Sequence, residues 1–486
     1  MRSRRHLRPA ILAVLLGGTA PLLLAPAHAE TLQEALAAAY RDNPTLTATR
    51  AGQRATDETY NIQKANGLPS AQVQANFQEN AYREIPTPFQ PNRTIATTLG
   101  VSAPVYSGGR VRNGMKGART RVEAGQLDLR ATELTIFSQV VAAYMDVIRG
   151  QSVVELSRNN VQVLEVNLKA TNNRFQVGDL TRTDVAQSES RLSLARGDLR
   201  TAEATLIEAR ERYIRLVGHE PVNLQPPMPL PRLPETVDQA VEVALANNPD
   251  LASARKVGEA AMYDVRVARG QRHPTLSVFT NGQYTTDLGS TPDSSIQQYG
   301  KNVTVGGTFT LPLYQGGGPA AQVRQSQARE QQAMEQTTAV ERDVIAQTRS
   351  LFSSWQASNE VIVSSRVAVD ASALSLQGVR AENSVGTRTI LDILNAEQES
   401  FIARVQLVTA ERNAYVAAFS LLAISGQVAP TDFGIPTSDV YNSADNFKRV
   451  KGKWFDWDDD AAPKPISSRT VDSTAQNATV TPDVNQ

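Results

Sequence analysis

Cysteine is absent from all 486 residues of this sequence, and its absence excludes several kinds of protein. Without cysteine there is no disulfide framework, no thiolate metal site and no cysteine that could carry a lipid after export. Any attachment to a membrane must therefore come from the fold itself.

Histidine is also scarce, and the histidines that are present do not belong to an enzyme motif. The chain has four of them, and His219 and His273 lie far apart in sequence, each beside a predicted turn. The sequence contains no G-x-S-x-G, no H-E-x-x-H and no phosphate-binding loop, although SGGR and QGGG are rich in glycine. We therefore predict that the protein is not an enzyme and uses no cofactor or metal.

An excess of one charge is missing as well. The sequence has 49 Lys and Arg against 49 Asp and Glu, so no basic surface for nucleic acid is indicated. Beyond the N-terminal 29 residues, no apolar segment reaches the roughly 18 to 20 residues that a membrane helix needs. The composition therefore gives no sign of a nucleic-acid partner or of a helical membrane span.

Residues 1–29 have the pattern of a cleavable secretory signal peptide. Four arginines precede an apolar run that ends in Ala27-His28-Ala29, and cleavage is expected after Ala29. The protein therefore leaves the cytoplasm. It is then either soluble outside the cytoplasm or spans an outer membrane as β-strands.

The rest of the sequence contains two copies of one design. Residues 31–50 match residues 236–255, so that Asn43-Pro44 falls on Asn248-Pro249. Farther along, APVYSGGR matches LPLYQGGG at a slightly longer offset, which places an insertion in one loop. We predict a first repeat over residues 30–218 and a second over 219–426. Each contains a short helix, a second helix, a β-hairpin, a long helix and a return helix.

Each repeat has two segments in which apolar and polar residues alternate. Their lengths are near the 9 to 11 residues of a tilted outer-membrane strand. Soluble hairpins would show the same alternation, so the strands alone leave both interpretations open. Four strands cannot close a barrel, and several chains must share one if the strands span lipid. The four segments are residues 70–78, 97–106, 275–284 and 302–314.

A very long helical pattern follows each hairpin. The first covers residues 111–176, or about 100 Å of helix at 1.5 Å per residue. Apolar residues recur along it every seven positions, which is typical of coiled-coil packing. Such lengths indicate an elongated tube or stalk. The recurring residues are Val140, Val147, Val154, Val161, Leu168 and Phe175 in the first repeat, and Trp355, Ile362, Val369 and Leu376 in the second.

Over residues 31–426 the sequence resembles the TolC family of outer-membrane channel-tunnels. The resemblance is carried by both Asn-Pro pairs, by LPLYQGGG, by RFQVGDLTRTDV and above all by SVGTRTILDIL. It implies a mixed α and β membrane protein, a homotrimer in which four strands per chain form a shared 12-stranded β-barrel. A long 12-helix α-barrel would continue it across the periplasm.

The resemblance also implies a function and partners. The trimer would be an exit duct in the outer membrane for substrates of an inner-membrane ABC or proton-driven exporter, joined to it by a periplasmic adaptor. The duct would serve type I protein secretion or multidrug efflux, and the sequence does not identify the cargo. A secreted or surface trimeric stalk or adhesin without a pore is the alternative, because it would share the signal peptide and the seven-residue repeat.

The two Val-Gly turns would be the periplasmic tips of the helix pairs. In the family, an Arg and a Tyr at the matching turn hold the pairs shut, and two aspartates one turn apart form a constriction. The resemblance therefore implies a lock between Arg388 and the Asp184 and Thr183 of the neighbouring helix pair. It also implies an acidic ring at Asp392, where three carboxylates would favour cations.

Two residues depart from the family pattern at this site. Asn383 stands at the Tyr position, and Asn395 stands at the position of the second aspartate. We therefore expect a lock with fewer bonds and a weaker cation block. The turns themselves are implied to meet the adaptor through Val177, Gly178, Asp179, Leu180, Val385, Gly386 and Thr387.

After Gly426 the repeat is exhausted and the residues turn polar. We predict that the tail, residues 427–486, is periplasmic and largely disordered. Within it, FKRVKGKWFDWDDD (residues 447–460) mixes aromatic residues with basic and then acidic charge. It is interpreted as a solvated linker, with docking on the tube or on a partner as the alternative.

Overall fold

The computed structural model describes residues 29–82, 92–231, 233–288 and 297–480. The predicted signal peptide lies outside these residues except for Ala29, and so do residues 83–91, 232, 289–296 and 481–486.

Helices account for most of the described chain, and the two repeats contain them in the same order. In both repeats the long helix has 67 residues. The first repeat contains α1 (Leu32–Asp42), α2 (Pro44–Ala65), α3 (Arg110–Gln176) and α4 (Arg182–Val217). The second contains α5 (Val237–Asn247), α6 (Pro249–Gly270), α7 (Gly318–Ser384) and α8 (Ile390–Ile424), and α9 (Ser443–Val450) follows in the tail.

The Asn-Pro pairs cap α2 and α6 as the sequence predicts. Asn43 Oδ1 accepts hydrogen bonds from the Thr45 and Leu46 backbone N–H groups, and the following proline starts the helix. The Asn43 amide also donates to the Leu216 carbonyl over 2.9 Å, at the end of α4. The Asn248 amide likewise donates a hydrogen bond to the Ile424 carbonyl at the end of α8, over 2.9 Å. Each asparagine thus fixes a helix start to the end of the return helix.

The four strands form one antiparallel sheet in the order β1-β2-β3-β4. The strands are β1 (Ser70–Glu79), β2 (Arg93–Tyr106), β3 (Thr275–Leu288) and β4 (Tyr299–Thr310). The central pair joins the two repeats, with Leu99 opposite Gly282 and Ala103 opposite Val278. The edges of β1 and β4 have no strand partner among the described residues.

The main core lies midway along the molecule, around α3. Phe137, Tyr144 and Tyr213 are completely buried there, together with Phe419 from α8. The Tyr144 hydroxyl donates to the Glu30 carbonyl at 3.0 Å, and the Tyr213 hydroxyl donates to the Glu30 carboxylate at 2.6 Å. Glu30, which lies two residues before α1, is therefore fixed in the centre of the fold.

The tail is ordered over residues 427–450, where the sequence analysis predicts disorder. Its apolar residues complete the core: the Phe433 ring centroid lies 5.9 Å from that of Phe137 and 5.7 Å from that of Phe419. Ile435 and Val450 are also buried. Burial of these side chains compensates for the entropy of ordering a polar segment, which composition alone did not indicate.

One described helix, α8, is long and apolar enough by composition to cross a membrane. The sequence analysis, which found no such segment beyond residue 29, missed this helix. Its alanines, among them Ala403, Ala410, Ala414 and Ala417, are buried in the protein. Small side chains permit close helix packing, so we assign the apolar character of α8 to its contacts with the neighbouring helices.

Candidate functional site at the helix tips

The two tips have the same backbone geometry. Gly178 and Gly386 have φ angles of +82° and +83°, which are readily adopted only by glycine. The N–H of Asp179 bonds to the Arg174 carbonyl at 2.9 Å, and the N–H of Thr387 bonds to the Glu382 carbonyl at 3.0 Å. These bonds close the end of α3 and the end of α7 in the same way.

Each return helix starts with a capping box. Thr181 and Asp184 form it at α4, and Thr389 and Asp392 form it at α8. In both, the threonine hydroxyl lies 2.7 Å from the aspartate Oδ2 and the threonine N–H lies 2.9 Å from it. The carboxylates satisfy N–H and O–H donors at the first turn, which stabilises the helix start.

Capping also keeps both carboxylates ionised. The side chain and backbone of Thr181 hold the pKa of Asp184 below its ordinary value of 3.8. The backbone and side chain of Thr389 lower the pKa of Asp392 in the same way, and the Arg388 charge adds to this. Both residues are therefore negative at neutral pH.

A salt bridge spans each turn, and the residue on the long-helix side of the bridge is basic in the first repeat and acidic in the second. Arg174 Nε lies 2.7 Å from Asp179 Oδ2 in the first tip. In the second tip, Glu382 occupies the position that matches Arg174, and its Oε2 lies 2.7 Å from Arg388 Nε. Glu382 raises the pKa of Arg388 through this hydrogen bond and through its charge. The turn geometry is thus preserved while the two tips present different charges.

Polar contacts join the two helix pairs within one chain. Asn383 Oδ1 lies 3.5 Å from Arg174 Nη1, and the Asn383 amide donates to the Arg388 carbonyl at 2.7 Å. Farther from the tip, Arg191 Nη2 donates to Asn395 Oδ1 at 2.9 Å. The two asparagines that depart from the family pattern therefore both accept hydrogen bonds from arginines of the first repeat.

An apolar contact supports the same junction. Leu394 of α8 is 2% exposed and packs with Leu164, Leu192 and Ala195 of the first repeat. Burial of a leucine contributes about 1.5–3 kcal/mol, more than exposed polar pairs usually do. We infer that Leu394 contributes more than the asparagines to the stability of the junction within a protomer.

The predicted site residues occupy three kinds of position. Asp184 and Asp392 cap their own helices, and Arg388 pairs with Glu382, whereas Thr183 is exposed. Among the described residues of one protomer, Arg388 pairs with Glu382 and forms no lock with Asp184 or Thr183. Since the predicted lock joins neighbouring helix pairs, its occurrence between protomers stays a prediction.

The turns that were predicted to meet an adaptor project from the ends of the helices. Val177 and Val385 are 79% and 74% exposed, which is unusual for valine. Gly178, Asp179, Gly386 and Thr387 are also exposed, and Leu180 is half-buried.

Several contributors to this site were not identified from the sequence. Arg174, Glu382, Arg191 and Leu394 all make contacts that join or shape the tips. Alignment of the two repeats could have identified Arg174 and Glu382, because they occupy equivalent positions with opposite charge. Arg191 has no such signal, since its partner is more than 200 residues away in sequence.

Comparisons with known proteins agree with this architecture. The profile of the family described as "Outer membrane efflux protein" matches residues 33–219 and 240–427. The outer membrane efflux protein BepC of Brucella suis biovar 1 is 32% identical over 444 residues, covering 91% of this chain and 95% of BepC. The outer membrane protein TolC of Escherichia coli strain K12 is 27% identical over 448 residues, covering 88% of each chain.

A solved structure gives the same result for the fold. The outer membrane channel CmeC of Campylobacter jejuni superimposes with a TM-score of 0.73 at 15% identity, over 87% of this chain and 89% of CmeC. The predicted fold class, the family resemblance and the outer-membrane location are thereby confirmed. The chain belongs to the outer membrane efflux protein family and is an outer-membrane channel of the kind used in efflux or secretion.

Proposed function

We propose that three copies of this chain form one continuous duct from the periplasm through the outer membrane. The observation that carries this proposal is the four-stranded sheet, whose edge strands β1 and β4 lack partners among the described residues. Unpaired edges are not stable in lipid, because their backbone groups find no water there. Three copies supply twelve strands, and pairing of β4 with the β1 of the next copy would remove every edge.

The helices support the same assembly. Although α3 and α7 have equal lengths, far fewer residues are buried on α7 than on α3. Apolar residues on α7 remain exposed, including Val363, Val367 and Leu374. In a ring of helix pairs, the face of α7 that is exposed in a single protomer would pack against the next protomer. That contact would cover these apolar residues.

The duct would work with an inner-membrane ABC or proton-driven exporter and a periplasmic adaptor. The exposed valines at the tips, Val177 and Val385, give such an adaptor apolar contact points on both turns. Their neighbours differ in charge, since Arg174 in one tip matches Glu382 in the other. An adaptor could therefore distinguish the two tips.

The same tips would form the periplasmic gate. Asp392 is ionised at neutral pH and lies in the first turn of α8, which would be the narrow end of the duct. Three copies would form an acidic ring that attracts cations and hinders anions. Asp184, Thr183 and Arg388 would contribute bonds between protomers. Asn383 and Asn395 would make the gate less tightly locked and less acidic.

Trimer formation can be tested with cysteine crosslinking, because the native chain has no cysteine. We would introduce Ala75→Cys in β1 and Val303→Cys in β4 and apply a short bismaleimide reagent to outer membranes. Within one chain these strands are three spacings apart, about 14 Å. A closed barrel brings β4 next to the β1 of another chain and should give covalent trimers on denaturing gels. The single Ala75→Cys variant is the matched control.

A pore-free stalk would behave differently. It would leave the double-cysteine chains monomeric, and the purified protein would not conduct ions in planar bilayers. Either result would contradict the duct.

The acidic ring can be tested by single-channel recording. Asp392→Asn should remove block by divalent cations, because the three charges at the mouth are lost. Asn395→Asp should strengthen the block by adding a second ring. Undiminished block in the Asp392→Asn channel would refute the assignment of this residue, without affecting the evidence for the trimer.

A further inference from the structure

The tail places an aromatic loop at the junction between the helices and the strands. We call residues 451–460 the aromatic loop. Trp454, Phe455 and Trp457 within it are 78%, 62% and 83% exposed. Three large aromatic side chains exposed so close together are unusual on a protein surface that faces only water.

The direction of the tail follows from its contacts with α2. The amide of Asn446 donates to Asp57 at 2.8 Å, and the Phe447 ring centroid lies 5.4 Å from that of Tyr60. The next contacts lie farther along α2. Asn61 donates to the Val450 carbonyl at 2.9 Å. Thus α9 runs parallel to α2, toward the strands.

The aromatic loop begins where α2 ends. Lys64 Nζ donates to the Lys451 carbonyl at 3.1 Å, and α2 finishes one residue later. Gly67 then packs directly on Val111 at the start of α3, and β1 begins at Ser70. The loop therefore lies at the level at which the strands begin.

Ion pairs hold the aromatic loop as a hairpin. Both terminal nitrogens of Arg449 lie 2.8 Å from the carboxylate of Asp460, and Lys453 Nζ lies 3.1 Å from Asp458 Oδ1. Beyond the hairpin the chain returns, since the Ser467 and Thr47 hydroxyls are 2.9 Å apart near the start of α2. The aromatic residues are thus at the point where the tail reverses, at its end nearest the strands.

We propose that the aromatic loop inserts into the periplasmic face of the outer membrane and anchors the channel there. Trp favours the headgroup region, and Phe inserts its apolar ring at the boundary between headgroups and acyl chains while the backbone stays hydrated. Tyr106, the last residue of β2, and Tyr314, four residues after the end of β4, are 50% and 88% exposed. The loop would extend that aromatic girdle below the strands.

The charge of the segment favours a zwitterionic lipid surface. Residues 447–460 contain four basic and four acidic side chains, so their net charge is zero. Asp458 and Asp460 are paired with basic residues. Headgroup ammonium groups can neutralise Asp456 and Asp459, which an anionic surface would repel.

The three tryptophans of the chain provide an internal control. Besides Trp454 and Trp457, the only other one is Trp355. It packs against Phe352 in α7. Trp355 lies 37 residues after Gly318, where α7 begins. That separation corresponds to about 55 Å of helix, far from the membrane.

The test is fluorescence quenching of the full chain, reconstituted into phosphatidylcholine vesicles with and without bromine on the acyl chains. Trp355→Phe retains only the loop tryptophans, and we expect brominated lipid to reduce its emission. Trp454→Phe/Trp457→Phe retains only Trp355, and its emission should be the same in both lipids. Heat-resistant trimers of both variants show that the fold is intact.

Two results would overturn the proposal. In the first, the Trp355→Phe variant emits equally in both lipids and has the spectrum of water-exposed indole. This result is expected if the loop binds a protein partner instead of lipid. In the second, both variants are quenched to the same extent, which would make the quenching unspecific. Neither result would affect the crosslinking evidence for a trimer.

Discussion

At the scale of single residues, the tips depend on two glycines that have left-handed backbone angles and open surroundings. A Cβ added at Gly178 or Gly386 would meet no atom within 4 Å. The cost of an alanine there is therefore backbone strain alone. The sequence pattern identified both glycines, because a Val-Gly pair that interrupts a helix twice at equivalent positions indicates a turn.

We predict that Gly178→Ala and Gly386→Ala each destabilise their tip by about 1–2 kcal/mol. Hydrogen exchange of the adjacent helix ends should become faster to a similar degree in both variants. Gly197→Ala is the matched control, since this glycine is inside α4 and also has open space around it. It should be neutral or stabilising. Equal effects at all three glycines would contradict the role of the positive φ angle.

A second prediction at this scale concerns the buried carboxyl of Glu30. Burial raises its pKa from 4.5, and Glu34 adds to this, whereas Tyr213 and His219 oppose the shift. The protonated form is therefore favoured in the folded state. The contribution to stability is full below pH 4.5 and is lost as pH rises through the folded pKa.

Thermal unfolding between pH 4.5 and 7 should test this sign. The native protein should lose stability across that range relative to Glu30→Gln, which cannot ionise. The slope with pH is the relevant quantity, because glutamine also changes the hydrogen bonds to Tyr213 and Val222. Parallel profiles would show that Glu30 does not titrate in this range.

At the scale of elements, the two repeats contain helices in the same order, but burial varies from helix to helix and along each helix. The seven-residue pattern predicts α3 correctly, and Val140, Val147 and Val154 are completely buried. Toward the tip the burial fades, and Phe175 is 42% exposed. Periodicity shows which face packs, but it does not show how many neighbours that face has along its length.

We predict that Leu394→Ala loosens the contact between the helix pairs. Removing a buried leucine costs about 2–5 kcal/mol, because a cavity remains. Hydrogen exchange should become faster around Leu164 and Leu192, which pack against it. Leu391→Ala is the control on the same helix, since Leu391 is 40% exposed. If the two variants affected those segments equally, Leu394 would not be the residue that joins the pairs.

At the scale of the whole molecule, the tail connects parts that the repeats leave separate. It fills the core with Phe433 and Ile435, follows α2 to the strands and returns to α4. Arg210, in α4, donates to the Thr479 carbonyl at 2.9 Å. The polar tail is thus a structural component over its first part and a surface strap over its second.

Truncations separate these two parts. A chain ending after Gly426 lacks four buried apolar side chains, worth roughly 6–12 kcal/mol together. These are Val428, Phe433, Ile435 and Val450. The chain that ends after Gly426 should not form heat-resistant trimers. A chain ending after Asp460 keeps all four and should form them, as gel mobility without boiling would show. Normal trimers from the shorter chain would refute the role of the tail in the core.

The composition and patterning of the sequence by themselves determined the local structure of this protein. Alternation specified the strands, the Asn-Pro pairs specified the starts of α2 and α6, and the duplication specified the order of elements. These features depend on residues within a few positions of each other, so their spacing is visible in the sequence. The tip capping boxes are equally local in sequence, although the sequence analysis did not identify them.

Only the tertiary structure decided which distant residues meet. It paired β2 with β3, joined Arg191 to Asn395 and packed Phe433 into the core. It also carried Trp454 and Trp457 to the end of α2. The physical reason is that such contacts depend on the shape and packing of whole elements, and many partners of suitable charge or size are equally compatible with the local pattern.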